Sequence, residues 1–229
     1  MSSTFHLKII PSLIFLFVTC NGFGQENFSA LGETAFSLNK GISKDYTLNF
    51  TLRSRYFLYQ NTNTQYQQQQ IDAFHFSKLK LNKHNSLSLG VYYRTRTPFN
   101  SGSNELRIMQ QYSYNKQKKR LKYGHRFRTE QRFLKAKTIY RERYRFSTSI
   151  PLCGETIDIG ETFLISYLEG LLSLSKLQKP ETDVRLTTQI GWQITEDLKL
   201  KTGLEHRLEA FNLEAKNNLF ILTSATLRI

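Results

Sequence analysis

Residues 46–58, with the sequence YTLNFTLRSRYFL, contain the pattern that decides the fold of this chain. An apolar side chain stands at every second position from Tyr46 to Leu52, and polar or charged side chains fill the alternate positions, up to Arg53 and Arg55. A period of two is typical of a β-strand with two unlike faces, because successive side chains point to opposite sides of a sheet. The stretch therefore predicts a strand with one apolar and one cationic face.

The same alternation recurs along the rest of the chain and predicts further strands. The predicted strands are 28–38, 45–59, 71–81, 86–97, 105–114, 120–133, 138–150, 156–168, 182–194, 198–211 and 218–229. Most are longer than the usual globular strand of about 5–6 residues, and they are long enough to cross a tilted bilayer. The phase of the alternation changes near Gly160, where we predict a β-bulge.

The predicted connections alternate between two lengths. Short polar turns are expected at 39–44, 82–85, 115–119, 151–155 and 195–197, and longer links at 60–70, 98–104, 134–137, 169–181 and 212–217. Outer-membrane barrels have short turns at one end and longer loops at the other. We therefore predict an all-β fold, a closed antiparallel transmembrane (outer-membrane) β-barrel of ten to twelve strands. Because single-chain bacterial barrels have even strand numbers, twelve is preferred to the eleven segments counted.

The N-terminal segment has the features of an export signal. Lys8 precedes an apolar run over 9–18, which is too short to span a bilayer, and the small residues Gly22 and Gly24 follow it. We predict a cleaved signal peptide at 1–24 and an outer-membrane barrel domain at 25–229 in a Gram-negative bacterium. A second interpretation is that Cys20 is lipidated instead of cleavage occurring after Gly24.

Charge is concentrated on the polar faces of the predicted strands. The chain carries 32 Lys+Arg against 18 Asp+Glu, a formal net charge of +14. The charged residues that we predict to face the lumen are Arg53, Arg55, Arg94, Arg96, Arg126, Arg128, Glu130, Arg132, Arg141, Arg143, Arg145, Glu205, Arg207 and Glu209, and Arg107 shares their face. Because these residues are spread over most strands and not gathered in one patch, we expect no nucleic-acid partner.

A cationic lumen has two interpretations. Arginine forks suit carboxylate and phosphate groups, so the lumen could be a porin-like, narrow anion-preferring channel for small anionic solutes. Small barrels also tend to fill their interiors with side chains, so the charges could instead form a structural Arg/Glu plug. Both interpretations describe a barrel that is not an enzyme.

An enzymatic alternative depends on His75 and Ser77, which lie two residues apart and hence on one strand face. The spacing is similar to the His–Ser pair of outer-membrane phospholipases and lipid A deacylases, in which the His is the base and the Ser the nucleophile. No third polar group that would orient the His stands out in the sequence. A surface lipid hydrolase is therefore the alternative function.

Neither a cofactor nor a metal is expected. The two cysteines and five histidines form no cluster with metal-ligand spacing, and no glycine-rich phosphate loop is present. The expected partners are outer-membrane lipids including lipopolysaccharide, and the barrel-assembly machinery during biogenesis.

Several hairpin segments also resemble one known family. They are GISKDYTL at 41–48, NKHNSLSLGVYYR at 82–94, YGHRFRTEQRF at 123–133, RERYRF at 141–146 and IPL at 150–152. These segments resemble the outer-membrane barrel family catalogued as a domain of unknown function, DUF2490. The resemblance covers essentially residues 25–229 and implies a barrel and an outer-membrane location. It implies no activity.

Overall fold

A computed structural model of the chain describes residues 28–99, 102–176 and 178–229. The strands are β1 (Phe28–Gly41), β2 (Tyr46–Gln60), β3 (Asn63–Lys80), β4 (Asn85–Arg96), β5 (Asn104–Lys118), β6 (Leu121–Leu134), β7 (Thr138–Pro151), β8 (Thr162–Ser175), β9 (Gln178–Gln193), β10 (Leu198–Glu209) and β11 (Lys216–Arg228). Within these residues no helix is long and apolar enough to span a membrane. The predicted signal peptide at 1–24 and the alternative lipidation site Cys20 lie outside the described residues.

The strands form one closed barrel, as the alternating sequence predicted. Each strand pairs antiparallel with its neighbours in sequence, whereas β1 and β11 pair in parallel, from Phe28 opposite Asn217 to Asn39 opposite Arg228. With eleven strands the first and the last run in the same direction, so their pairing has to be parallel. The preference for an even count of twelve is therefore wrong for the described residues, because a parallel closing pair lets an odd number of strands form a barrel.

The predicted long link at 60–70 is a tight hairpin. Asn61 and Thr62 both have positive φ, at 51° and 66°, as the two central residues of a type I′ turn require. Strand β3 begins directly afterwards at Asn63. The Gln-rich segment 65–70 has no apolar alternation, but it pairs with β2 through main-chain groups that any residue other than proline supplies.

The predicted long link at 169–181 is also mostly strand. Strand β8 runs on to Ser175, and β9 begins at Gln178. Leu171 lies on the inner face and is 5% exposed, next to the outward Leu172, so two consecutive leucines conceal the alternation. The register irregularity of β8 lies at Ser173/Ser175.

The longest connection, 152–161, joins β7 and β8, where a short turn at 151–155 was predicted. Gly160 lies in this connection with φ +82°, so the predicted bulge and the strand start at 156 are both wrong. The connection shares one end of the barrel, the β1–β2 mouth, with turns 42–45, 81–84, 119–120 and 194–197. The opposite end, the β2–β3 mouth, carries the connections β2–β3, β4–β5, β6–β7, β8–β9 and β10–β11, of which 61–62, 135–137 and 210–215 are described in full. The predicted separation of short turns from long loops is therefore wrong.

The two faces of the wall differ as the alternation predicted. Outward-facing Leu52 and Leu89 are 61% and 64% exposed, whereas inward-facing Asp72 and Glu105 are 0% and 1% exposed. The outer surface is rich in exposed apolar side chains on every strand, and most buried residues are polar or charged. This distribution is the inverse of that in a water-soluble protein, which buries its apolar side chains.

Glycines make room for aromatic rings inside the barrel near the β1–β2 mouth. The Phe76 ring lies against the inward face of Gly90, and the Phe163 ring lies against Gly191, in each case where a Cβ would stand. Each ring belongs to the residue directly opposite its glycine on the neighbouring strand. The two rings therefore narrow this half of the lumen.

Replacing Gly191 by Val should destabilise the barrel, because the added side chain occupies the position of the Phe163 ring. Overpacking of this kind costs about 1–3 kcal/mol. We expect the free energy of unfolding in urea, measured from the heat-dependent gel mobility of the refolded barrel, to fall by that amount. The matched control is Gly170→Val, because no atom lies within 4 Å of a Cβ at Gly170. Equal stability of the two variants would contradict the packing described.

Candidate functional site

Inward-facing charges form three neighbouring groups of ion pairs, which together we call the lumen network. Its arginines are Arg53, Arg55, Arg94, Arg96, Arg107, Arg126, Arg128, Arg132, Arg141, Arg143, Arg145, Arg185 and Arg207, and its carboxylates are Glu33, Asp72, Glu105, Glu130, Glu169, Glu181, Asp183, Glu205 and Glu209. The structure places all fourteen charged residues predicted for the lumen in this network.

The residues missing from that prediction are Arg185 and most of the carboxylates. These residues could have been predicted from the cross-strand register, which places carboxylates opposite arginines. Asp72 stands opposite Arg53 on one neighbouring strand and Arg94 on the other, and Glu33 stands opposite Arg55. Each carboxylate therefore occupies the same inward parity as the arginines that it contacts, which a hairpin alignment of the sequence would have shown.

Asp72 shows how a buried carboxylate is satisfied. Its side chain is fully buried, and Arg53 Nη2 and Arg94 Nε each lie 2.8 Å from one of its oxygens. Gln70 Nε2 donates a further hydrogen bond of 2.9 Å, and the Tyr92 hydroxyl accepts hydrogen bonds from both arginines. Because every charged group here has partners, the desolvation cost of burying it is offset by charge-assisted hydrogen bonds.

Glu105 is shared by three arginines. Arg107 Nε and Arg132 Nε both lie 2.6 Å from its Oε1, and Arg96 contacts Oε2. The Glu105 side chain is fully buried. This one carboxylate therefore holds together guanidinium groups from strands β4, β5 and β6.

Two more carboxylates are linked through Arg143. Its Nη1 lies 2.7 Å from Glu130, and its Nη2 lies 2.6 Å from Glu169. Glu169 also accepts hydrogen bonds from Arg126 at 2.7 Å and from Arg145 at 2.9 Å. The network therefore continues from β6 to β8 without interruption.

A separate group of ion pairs in the lumen network lies at the parallel seam between β1 and β11. Arg207 contacts both Glu205 and Glu33, and Arg55 binds Glu33 at 2.6 Å. The guanidinium groups of Arg207 and Arg55 also lie over the buried ring of Phe220, at 3.7 and 4.8 Å from its centroid. Cation–π contacts of desolvated arginines are stronger than exposed ones, so Phe220 helps to hold these charges in place.

The network as a whole is cationic. Thirteen arginines face nine carboxylates, an excess of four positive charges among the described residues. Charges of one sign inside low-dielectric walls focus the field and raise the local concentration of counter-ions. The interior therefore attracts anions.

A cavity of about 440 Å³ lies within the network. All thirteen arginines line it, but of the nine carboxylates only Glu130, Glu181, Asp183 and Glu209 do so. The other five carboxylates lie behind the guanidinium groups that they bind. A solute in the cavity therefore meets a surface that is more cationic than the total charge of the network suggests.

The candidate catalytic pair lies outside the lumen, on the outer face of β3. His75 Nε2 and Ser77 Oγ are 2.9 Å apart, which is the distance that the hydrolase alternative requires. The His75 Nδ1 atom, however, is buried and has no hydrogen-bond partner, and the Phe50 ring lies 4.4 Å from the imidazole. Within the described residues no acid orients this histidine, and no group of three His, Cys, Asp or Glu side chains is placed to hold a metal.

A protein-family model described as a protein of unknown function, DUF2490, matches residues 34–217, from the first strand of the barrel into the last. The chain belongs to the DUF2490 family. No curated protein and no solved structure matches the chain. The predicted family is thus confirmed, and its description assigns no function to the barrel.

Removing the carboxylate of Glu105 should destabilise this DUF2490 barrel severely. In Glu105→Gln, three buried arginines lose their shared counter-charge, and breaking a buried ion pair costs about 3–5 kcal/mol. The free energy of unfolding, followed by the fluorescence of Trp192, the only tryptophan, should fall by that amount.

The matched control for this prediction is Glu181→Gln. The Glu181 side chain is 42% exposed, and its arginine partner is 3.8 Å away. Exposed pairs contribute about 0–1 kcal/mol, so this variant should be close to wild type. A Glu105→Gln barrel as stable as the control would contradict the structural importance of the network.

Proposed function

We propose that the barrel lies in the outer membrane of a Gram-negative bacterium and that its lumen is a narrow, anion-preferring pathway. Residues 1–24 are then the cleaved export signal, residues 25–229 the barrel domain, and lipopolysaccharide and other outer-membrane lipids its surroundings. The exposed apolar side chains of the outer face support a lipid environment. The strands of 12–18 residues exceed the roughly 9–11 that a tilted strand needs to cross a bilayer.

Closure of the wall supports the same location. In hydrocarbon no water is available to backbone N–H and C=O groups, so a β-structure spans a membrane only if its strands form a closed ring. The pairing of β1 with β11 completes that ring. Assembly of such a ring in the outer membrane would make the barrel-assembly machinery a partner during biogenesis.

The observation that carries the proposed pathway is the lining of the cavity. All arginines of the lumen network reach the cavity, whereas most of its carboxylates lie behind them. The volume of about 440 Å³ is within the range of small-molecule sites, about 300–1,000 Å³. Guanidinium forks bind carboxylate and phosphate oxygens through paired hydrogen bonds. The favoured solutes are thus small anions of these classes.

The ion pairs determine the width of the pathway. Because they cross the strands of the wall and hold the long arginine side chains in place, we expect low conductance with strong selectivity. A structural plug, in which the same side chains close the lumen entirely, is the other outcome that a measurement of current distinguishes.

Refolded residues 25–229 in a planar bilayer should pass current with a reversal potential that favours anions across a KCl gradient. Arg128→Gln should lower the anion-to-cation permeability ratio, because Arg128 lines the cavity and its closest partner is the neutral Gln111, at 2.6 Å. The control Lys118→Gln removes the same charge at an exposed strand end. Heat-dependent gel mobility verifies folding. A folded barrel without current, or one that prefers cations, would overturn the pathway.

A surface lipid hydrolase is the second candidate, supported by the 2.9 Å contact between His75 and Ser77. Because His75 has no orienting acid in the described part of the chain, we expect no phospholipid hydrolysis above background from the refolded barrel in vesicles. The hydrolysis rate of the wild type is compared with the rates of Ser77→Ala and of the control Ser166→Ala, which replaces another outward-facing serine. Hydrolysis by the wild type and Ser166→Ala that is lost in Ser77→Ala would establish the enzyme instead.

A further inference from the structure

Arg185 is an exception within the lumen network. Its side chain is 12% exposed, yet its nearest carboxylate oxygens, on Asp183 and Glu209, are both 3.7 Å away. Its Nε is buried without a partner, and within the described residues its guanidinium makes no hydrogen bond. Glu105 and Glu169, in contrast, have arginine nitrogens at 2.6 to 2.9 Å. A guanidinium offers five donors, so Arg185 is a buried cation with unused donors.

Arg141 lies beside it and is also loosely paired. Its Nε donates a hydrogen bond of 2.7 Å to Ser173, but its Nη2 is 3.8 Å from Glu181 and 4.0 Å from Asp183. The Nη2 atoms of Arg141 and Arg185 therefore flank the same oxygen, Asp183 Oδ2, without a hydrogen bond to it. Two guanidinium groups thus converge on one point of the cavity wall.

Asp183 is held away from both arginines by the backbone. Its Oδ1 accepts a hydrogen bond of 3.0 Å from the N–H of Ala210, at the end of β10. Ala210 has a positive φ of 52°, so the chain turns there and directs its N–H toward the carboxylate. Because this hydrogen bond holds the Asp183 carboxylate in place, the carboxylate stays 3.7 Å or more from the Nη2 atoms of both arginines.

The pair is accessible from the β2–β3 mouth. Glu181 and Glu209, which lie next to the pair, are the most exposed carboxylates of the lumen network, at 42% and 33%. Glu181 is near the start of β9 and Glu209 ends β10, so both lie at this mouth. A solute can therefore reach Arg141 and Arg185 without crossing the lumen.

We propose that Arg141 and Arg185 form a binding site for a small oxyanion of the phosphate or carboxylate class. Buried polar groups are nearly always satisfied, and charged donors left unpaired cost more than neutral ones. An oxyanion that bridges the two forks would satisfy the unused Nη donors of both. This proposal extends the proposed function, because the site would be the entry point of the anion pathway. The site could also exist in a barrel whose lumen is closed beyond it.

The test uses the refolded barrel in detergent, with inorganic phosphate and acetate as probes and chloride at matched ionic strength as the reference. Isothermal titration calorimetry should show saturable binding of phosphate, of acetate, or of both, and the preferred probe identifies the class. Arg185→Gln and Arg141→Gln should each weaken that binding by about tenfold or more, as expected for a lost charge-assisted hydrogen bond. Arg228→Gln, at the exposed end of β11 by the opposite mouth, should match the wild type.

A second variant, Arg185→Lys, distinguishes the effect of the positive charge from that of the guanidinium shape. It also gives a result if the glutamine variants fail to fold. Arg185→Lys keeps the charge but not the fork, so it should bind more weakly than wild type and more strongly than Arg185→Gln. Arg185 has no hydrogen bond to lose in the described structure, and all variants should keep heat-dependent mobility. Absence of saturable binding in the folded wild type, or binding that both glutamine variants retain, would overturn the site.

The bilayer recording distinguishes this proposal from the pathway. Saturable binding without current supports the Arg141–Arg185 site and rejects the pathway. Anion-selective current without saturable binding rejects the site and leaves the pathway.

Discussion

The parallel pairing of β1 with β11 is the constraint on which the rest of the structure depends. It turns a row of hairpins into a ring without edges, so that main-chain groups of the first and last strands find partners in the wall itself. Closure also separates an inside from an outside, and the alternation along each strand then assigns every side chain to one of them. Charged residues, which would be costly to place on the apolar exterior, lie in a small interior, where each carboxylate pairs with arginines.

The interior is organised by carboxylates that each serve several arginines. Glu105, Glu130 and Glu169 each contact three guanidinium groups, and Arg107 and Arg143 connect them. Sharing in this way leaves the network with more positive than negative charge, and it places the acids behind the arginines. The same contacts that stabilise the barrel thus give the cavity its cationic surface, so the structural and the anion-binding interpretations of the lumen are compatible.

Tight and loose ion pairs have different roles in such an interior. At the fully buried Asp72 the arginine partners are close, and the ion pairs hold three strands together. At Asp183, which is also buried, the carboxylate accepts a hydrogen bond from Ala210 and lies 3.7 and 4.0 Å from Arg185 and Arg141, whose free donors the proposed oxyanion would use. A search for binding sites in barrels of this kind should therefore look for arginines with distant partners.

The sequence by itself determined the strand class and the barrel, because a period of two depends only on the order of apolar and polar side chains, and its hairpin segments determined the family. It did not determine the strand number or the closing pair, since both depend on which distant strands meet. It also missed the hairpin at Asn61 and Thr62 and the length of β8, because main-chain pairing extends strands where side chains do not alternate. Only the tertiary structure decided which carboxylates contact which arginines, and that Arg185 has no carboxylate within hydrogen-bond distance, because most of these distances are set between different strands.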